Sequence, residues 1–228
     1  VIDSNNNDDV TNLYNIIYNT GTLTVLKREL TIETESLSKI YDGFPLTSDK
    51  WSIQKGALAT NHKIQVMMTG SITEPGSIDN EIGVTILDSN NNDITKNYEL
   101  INYLGTLTVT KRVIAIQTET LSRIYNGSPL TSKGWSILSG TILDNNNINV
   151  IMTGSITEPG TIENEIGITI VDSNSNNVTG NYSINYNIGT LTVLKREITI
   201  QTESLSKLYD GLPLTSDKWT IQNGAVLT

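Results

Sequence analysis

The side chains with the best claim to chemistry are oxygens in Asn-rich runs. Asp88-Ser89-Asn90-Asn91-Asn92 places oxygens at the first, third and fifth positions of a calcium-type loop, and the run recurs as Asp3–Asn7 and Asp172–Asn176. The candidate ligands are Asp88, Asn90, Asn92, Asp172, Asn174 and Asn176. A full loop also wants Gly at position 6 and Glu at position 12. The sixth residue is Asp93, Asp8 or Asn177, and the twelfth is Glu99 once but Tyr14 and Ser183 elsewhere. The same letters make ordinary turns between strands. No cofactor is expected, with calcium the one alternative.

Other chemistry is harder to build. Glu74 and Glu81, with Glu158 and Glu165, form two acid pairs. Paired carboxylates hydrolyse glycosides only across a cleft, about 5–10 Å apart, and Glu74-Pro75-Gly76 reads as a turn. There is no cysteine and one histidine, His62, which removes thiolate catalysis and disfavours triads and His-type metal sites. The chain is read as non-enzymatic. A net charge of −9 argues against a basic nucleic-acid surface. No apolar run approaches the ~20 residues of a membrane span, so no insertion is expected.

Two aromatic motifs remain. Tyr41-Asp42-Gly43, Tyr125-Asn126-Gly127 and Tyr209-Asp210-Gly211 read first as turns, because Asp or Asn before Gly suits positive φ and the Tyr ring can pack beneath. Asp and Asn interchange between copies, which a turn tolerates and catalysis does not. Trp51, Trp135 and Trp219 occur singly, as core anchors do, although a sugar platform is the alternative use.

These motifs return every 84 residues. Aligning 27–110 with 111–194 gives 49 identities in 84 positions without a gap, so the copies can be compared position by position. The organising stretch is Gly21–Ile32, repeated as Gly105–Ile116 and Gly189–Ile200. Leu23, Val25, Leu30 and Ile32 alternate with polar residues on both sides of Leu26-Lys27-Arg28, as half-buried strands do. The expected division is 1–26, the end of a preceding unit; 27–110 and 111–194, complete units; and 195–228, the start of a following one. The two partial segments lack the counterpart of roughly 61–83, so exchanging them between molecules would not rebuild a unit. They read as a window on a longer array.

Each unit is expected to be all-β. The first strand is placed at 27–36, followed by an irregular crossing at 37–47 and a short extended piece at 51–54. Alternating strands follow at 62–69 and 81–88, and 98–103 with 105–109 is read as a closing hairpin. Short strands with regular turn signals predict Ig-like β-sandwiches in tandem, drawn out as a rod. Asp93–Tyr98 is similar to a tyrosine corner, with Tyr98 and Tyr182 in the key position. Lys27 and Lys111 lie where Lys–Asn isopeptides to Asn97 and Asn181 are conceivable.

The ordered set 39–47 (KIYDGFPLT), Trp51, Thr69-Gly70-Ser71, 93–98 (DITKNY) and 105–109 (GTLTV) resembles the YDG/MBG-type repeats of large bacterial surface proteins. The resemblance covers the whole chain and implies an extracellular, cell-surface stalk or fibre. Neighbouring repeats are the expected partners. An adhesive module for host glycoprotein or glycan, or a self-assembling filament or sheath subunit, is the alternative.

Overall fold

Valine, isoleucine and threonine at every second position favour pleated strands, and strands make up nearly all the regular structure of the computed structural model, which describes residues 1–227. Thr228, the last residue of the expected 195–228 segment, lies outside the described residues. The first 84-residue period contains β1 (Arg28–Thr34), β2 (Leu37–Ile40), β3 (Trp51–Lys55), β4 (Lys63–Met68), β5 (Gly76–Asp79), β6 (Ile82–Leu87), β7 (Tyr98–Tyr103) and β8 (Thr106–Thr110). The second contains β9 (Arg112–Thr118), β10 (Leu121–Ile124), β11 (Leu130–Thr131), β12 (Trp135–Ser139), β13 (Asn147–Met152), β14 (Ser155–Ile156), β15 (Gly160–Glu163), β16 (Ile166–Val171), β17 (Tyr182–Asn187) and β18 (Thr190–Leu194). β19 (Thr199–Thr202) and β20 (Trp219–Asn223) follow.

The strands form several small sheets, compatible with sandwich packing. In the second period, β9 is central, antiparallel to β12 and parallel to β17, while β13 pairs with β16. β18 lies parallel to β10 and antiparallel to β15, and β11 pairs with β14. The expected hairpin between the last two strands is therefore absent. β17 and β18 run in different sheets, as do β7, parallel to β1, and β8, between β2 and β5. Alternation marks a strand but not its neighbour, and a parallel partner far along the chain is invisible to it. The crossing expected at 37–47 also begins with a regular strand, β2, and the four-residue β5 starts at the last residue of the Glu74-Pro75-Gly76 turn, where no strand is expected.

Packing divides the chain into two units. One comprises Val1–Thr34, Trp51–Met67 and Ile82–Tyr103. Its core holds Leu30, Ile32, Ile86 and Tyr98, with Trp51, Ile64, Val84 and Leu100 against them. The other comprises Glu35–Lys50, Met68–Glu81 and everything from Leu104 onward. Its larger core joins Tyr41, Leu46, Leu107 and Val109 of the first period to Ile114, Ile116, Ile170 and Tyr182 of the second. A further cluster contains Leu130, Leu191 and Val193. The sequence boundary between 110 and 111 thus runs through the middle of a hydrophobic core, with Lys111 alone between β8 and β9.

Leu107 is fully buried in that shared core whereas its counterpart Leu23 is fully exposed. Leu107→Ala is expected to cost about 2–5 kcal/mol in urea unfolding followed by circular dichroism. Leu23→Ala should cost less than about 0.5 kcal/mol. Equal effects would refute a core that crosses the boundary.

Candidate functional site

The Tyr-Asp-Gly loop is held by its own backbone chemistry. Gly43 sits at φ +82°, a region costly for residues with a Cβ. Asp42 Oδ1 accepts the Phe44 amide at 3.0 Å and the Lys39 ammonium at 2.6 Å, and that ammonium also donates to the Phe44 carbonyl. The second copy keeps the form with different charges. Asn126 Oδ1 accepts the Ser128 amide at 3.1 Å, Gly127 has φ +81°, and Arg123 donates to the Ser128 carbonyl. Either Asp or Asn provides the oxygen this turn needs, which accounts for their exchange.

What the loop presents is the tyrosine. Tyr41 continues the ladder of β2 by donating its amide to the Thr110 carbonyl at 2.8 Å. Its buried ring meets Tyr182 edge-on, with centroids 6.0 Å apart and planes at 77°. Burial pushes the Tyr41 phenol above its ordinary value, with the Asn181 side chain opposing that shift. Arg112 closes the side of the joint. Its guanidinium donates to the Thr141 carbonyl at 2.9 Å, to the Thr141 hydroxyl at 2.8 Å and to the Tyr41 carbonyl at 3.4 Å. Tyr182 is fixed in turn, because its hydroxyl accepts the Leu143 amide at 3.2 Å and Asn146 Nδ2 at 2.8 Å. A Cβ on Gly43 would lie 3.6 Å from Leu143, and one on Gly127 would lie 3.8 Å from Leu227, which is Leu143 one period on.

Tyr98 is the first-period equivalent of Tyr182. Its hydroxyl accepts the Ala59 amide at 3.0 Å and lies 2.6 Å from His62 Nδ1, where the second period has Asn146. The tyrosine-corner likeness is therefore corrected. The bond reaches 39 residues back, to the segment between β3 and β4, instead of to nearby backbone. Val25, Leu26, Lys27, Arg28, Ala59, His62, Lys96, Asn97 and Tyr98 line a cavity of about 490 Å³ in the place where the second period receives Tyr41.

The Asn-rich runs turn their carboxylate oxygens to their own turns. Asp88 Oδ1 accepts the amides of Asn90 and Asn92 at 2.8 and 2.9 Å, and Oδ2 accepts Asn92 Nδ2 at 3.0 Å. Asp172 repeats this with Asn174 and Asn176, and Asn91 and Ser175 carry the positive φ, 63° and 65°. Asn92 and Asn176 thus turn their side-chain nitrogens to the carboxylate. Among the described residues no group of three or more His, Cys, Asp or Glu is placed to hold a metal. Glu74, Glu81, Glu158 and Glu165 are all exposed. Trp51 and Trp135 are half-buried against their cores, and Trp219 is exposed.

Several residues that matter were missed in the sequence. Arg28, Arg112 and Arg196 each donate to a carbonyl 29 residues on, at Ala57, Thr141 and Ala225. Glu35 accepts the Ser48 hydroxyl at 2.6 Å, and Glu119 accepts that of Ser132 at 2.7 Å. Buried Asn80 and Asn164 donate their side-chain amides to the Glu35 and Glu119 carbonyls at 3.1 and 2.9 Å. Gly70 and Gly154 leave room for them, since a Cβ there would come within 3.0 Å of the asparagine. All recur unchanged at the 84-residue spacing, and that recurrence was the available signal. Comparison with protein-family models, curated proteins and solved structures finds no match.

Two outcomes follow for the turns. Gly43→Ala should destabilise by about 1–2 kcal/mol, because of the left-handed backbone, and Asp42→Asn should lower the urea midpoint less, because the amide oxygen still accepts the Phe44 amide and only the exposed pair with Lys39 is weakened; the reverse order would show that the Lys39 pair, and not the glycine turn, holds the loop. The carboxyls of Glu35, Asp42, Asp88 and Asp172 are held below their ordinary values chiefly by side-chain bonds from Ser48, Lys39, Asn92 and Asn176 respectively. Lowered folded values mean that their stabilisation is complete above the unfolded value of about 4 and is lost as pH falls through the folded values. The melting temperature should therefore hold from neutral pH to about 5 and fall below about 4. A flat profile into strong acid would show that these bonds do not stabilise the fold.

Proposed function

We propose that this chain is a structural segment of a bacterial cell-surface stalk or extracellular fibre, made of tandem β-sandwich units and acting as a semi-rigid spacer. The observation that carries the reading is the core shared across the 110/111 boundary, where Tyr41, Leu46, Leu107 and Val109 pack with Ile114, Ile116, Ile170 and Tyr182. A binding module on a flexible tether would have a Gly-, Ser- or Pro-rich linker there. Here one lysine joins two strands, and swinging the joint would expose apolar side chains. Bending is therefore opposed by the same hydrophobic term that stabilises the fold.

The resemblance to YDG/MBG-type repeats agrees with this role, as does the net charge of −9, which keeps a long polymer soluble. The side chains that recur between copies are used for turns, buried asparagines and the tyrosine joint. Such a segment works by length and stiffness, and its partners are the adjoining repeats.

Small-angle scattering of the chain in dilute solution checks the proposal. A compact protein of this length would have a radius of gyration of about 17 Å. The spacer reading expects a clearly larger value and a distance distribution with the long tail of a rod. A compact value, or the profile of freely jointed beads, would refute it.

A further inference from the structure

The second copy of the Tyr-Asp-Gly loop differs from the first at two positions that belong together. Asn126 stands where the first copy has Asp42, and Arg123 where it has Lys39. In the first copy the lysine ammonium sits on the Asp42 carboxylate at 2.6 Å and on the Phe44 carbonyl at 2.6 Å. In the second, the Arg123 guanidinium still donates to the corresponding carbonyl, that of Ser128, but the acid is gone. The Nε of Arg123 is buried and has no hydrogen-bond partner among the described residues. Asn126 does not provide one. Its oxygen is turned to the Ser128 amide at 3.1 Å, and its nitrogen is a donor, as the guanidinium is. A buried donor without a partner keeps its full desolvation cost and asks for an explanation.

The residue after Asn126 is Gly127, and that pair has a chemistry of its own. A glycine amide has no Cβ beside it to hinder attack on the preceding side chain. When the Gly127 nitrogen attacks Cγ of Asn126, an N–Cγ bond forms, the Cγ–Nδ2 bond breaks and ammonia leaves. The product is a cyclic imide. Water then opens it: addition at Cγ restores the main-chain peptide and leaves an aspartate, whereas addition at the main-chain carbonyl leaves an isoaspartate. Solvent water is consumed, ammonia is released and nothing is oxidised or reduced. Asn126 and Gly127 are both exposed, so water reaches them. That exposure is a property of the loop itself, because Asp42, beside the fully docked Tyr41, also keeps a side chain that is 45% exposed.

We propose that Asn126 is a self-modification site, at which the amide is hydrolysed through Gly127 to an aspartate that completes an ion pair with Arg123. The fold is already suited to the product. Asp42 and Asp210 shape the same turn, each accepting an amide on Oδ1 at 3.0 Å, from Phe44 and Leu212 respectively. Gly43, Gly127 and Gly211 share one backbone conformation, with φ of +82°, +81° and +78°. A carboxylate at position 126 keeps the Ser128 amide on one oxygen and offers the other to the guanidinium, whose donor fork matches it. An isoaspartate instead lengthens the main chain by a methylene and loses the turn. Hydrolysis thus converts the second loop to the charge arrangement of the first and adds a negative charge beside the next joint.

Peptide mapping by mass spectrometry, after the intact chain has stood for days in mildly alkaline buffer, tests the reaction. The peptide containing Asn126 should gain the mass difference between an amide and an acid, and should co-elute with the same peptide from Asn126→Asp. Urea unfolding tests the pair. Asn126→Asp should raise the midpoint at neutral pH, and the gain should vanish when the same change is made in an Arg123→Gln background, as the double-mutant comparison requires of a direct interaction. An Asn126 that survives the incubation, conversion to isoaspartate alone, or a gain that persists without Arg123 would overturn the proposal. None of these results touches the spacer role, which is read from the shape of the single chain.

Discussion

Burial of the Tyr41 ring against Tyr182 is the constraint from which the rest of the larger unit follows. A tyrosine at a loop tip has little reason to leave water unless both its apolar ring and its polar edge find partners. Here the ring lies in a core built from two sequence periods, and the phenol faces Asn181. To bring it there, β2 must end beside β8, β8 must pass into β9 over one residue, and Arg112 must meet the loop carbonyl. The three requirements are mutually consistent only if the joint has one geometry.

Buried side-chain amides in the same unit show a related constraint. The buried asparagines Asn80 and Asn164 each donate to the carbonyl where the chain leaves β1 or β9, and Gly70 and Gly154 make space for them. Buried polar groups without partners cost more than the bonds gain, so these residues come as sets of glycine, asparagine and carbonyl. The exposed carboxylates act differently. Those of Asp42, Asp88, Asp172 and Asp210 accept amides of their own turns and shape loops without reaching across the fold.

Strand positions were legible in the sequence wherever alternation was strong. β1, β4, β6, β7 and β8 lie within a residue or two of their expected limits. Pairing was not legible. The parallel neighbours β1 and β7, or β2 and β8, have the same local pattern that hairpin strands would have. The turn function of Tyr-Asp-Gly could be read from Asp/Asn exchange, but the destination of its tyrosine could not, because that depends on residues 141 positions away at Tyr182. Arg112, the counterpart of Arg28 in the Leu26-Lys27-Arg28 join, escapes a sequence reading because a guanidinium between strands has no local signature. Its recurrence as Arg28 and Arg196 was the clue.

Long-range parallel pairing has a consequence for biogenesis. A chain leaving a ribosome from its amino end exposes β1 long before β7 arrives to cover it, and Tyr41 must wait for Tyr182. Contacts of such wide separation are slow to form and leave apolar edges open in the meantime. Each new stretch must therefore condense on the portion already folded, so that the solid part grows like a zip whose slider trails the emerging end by more than a hundred residues.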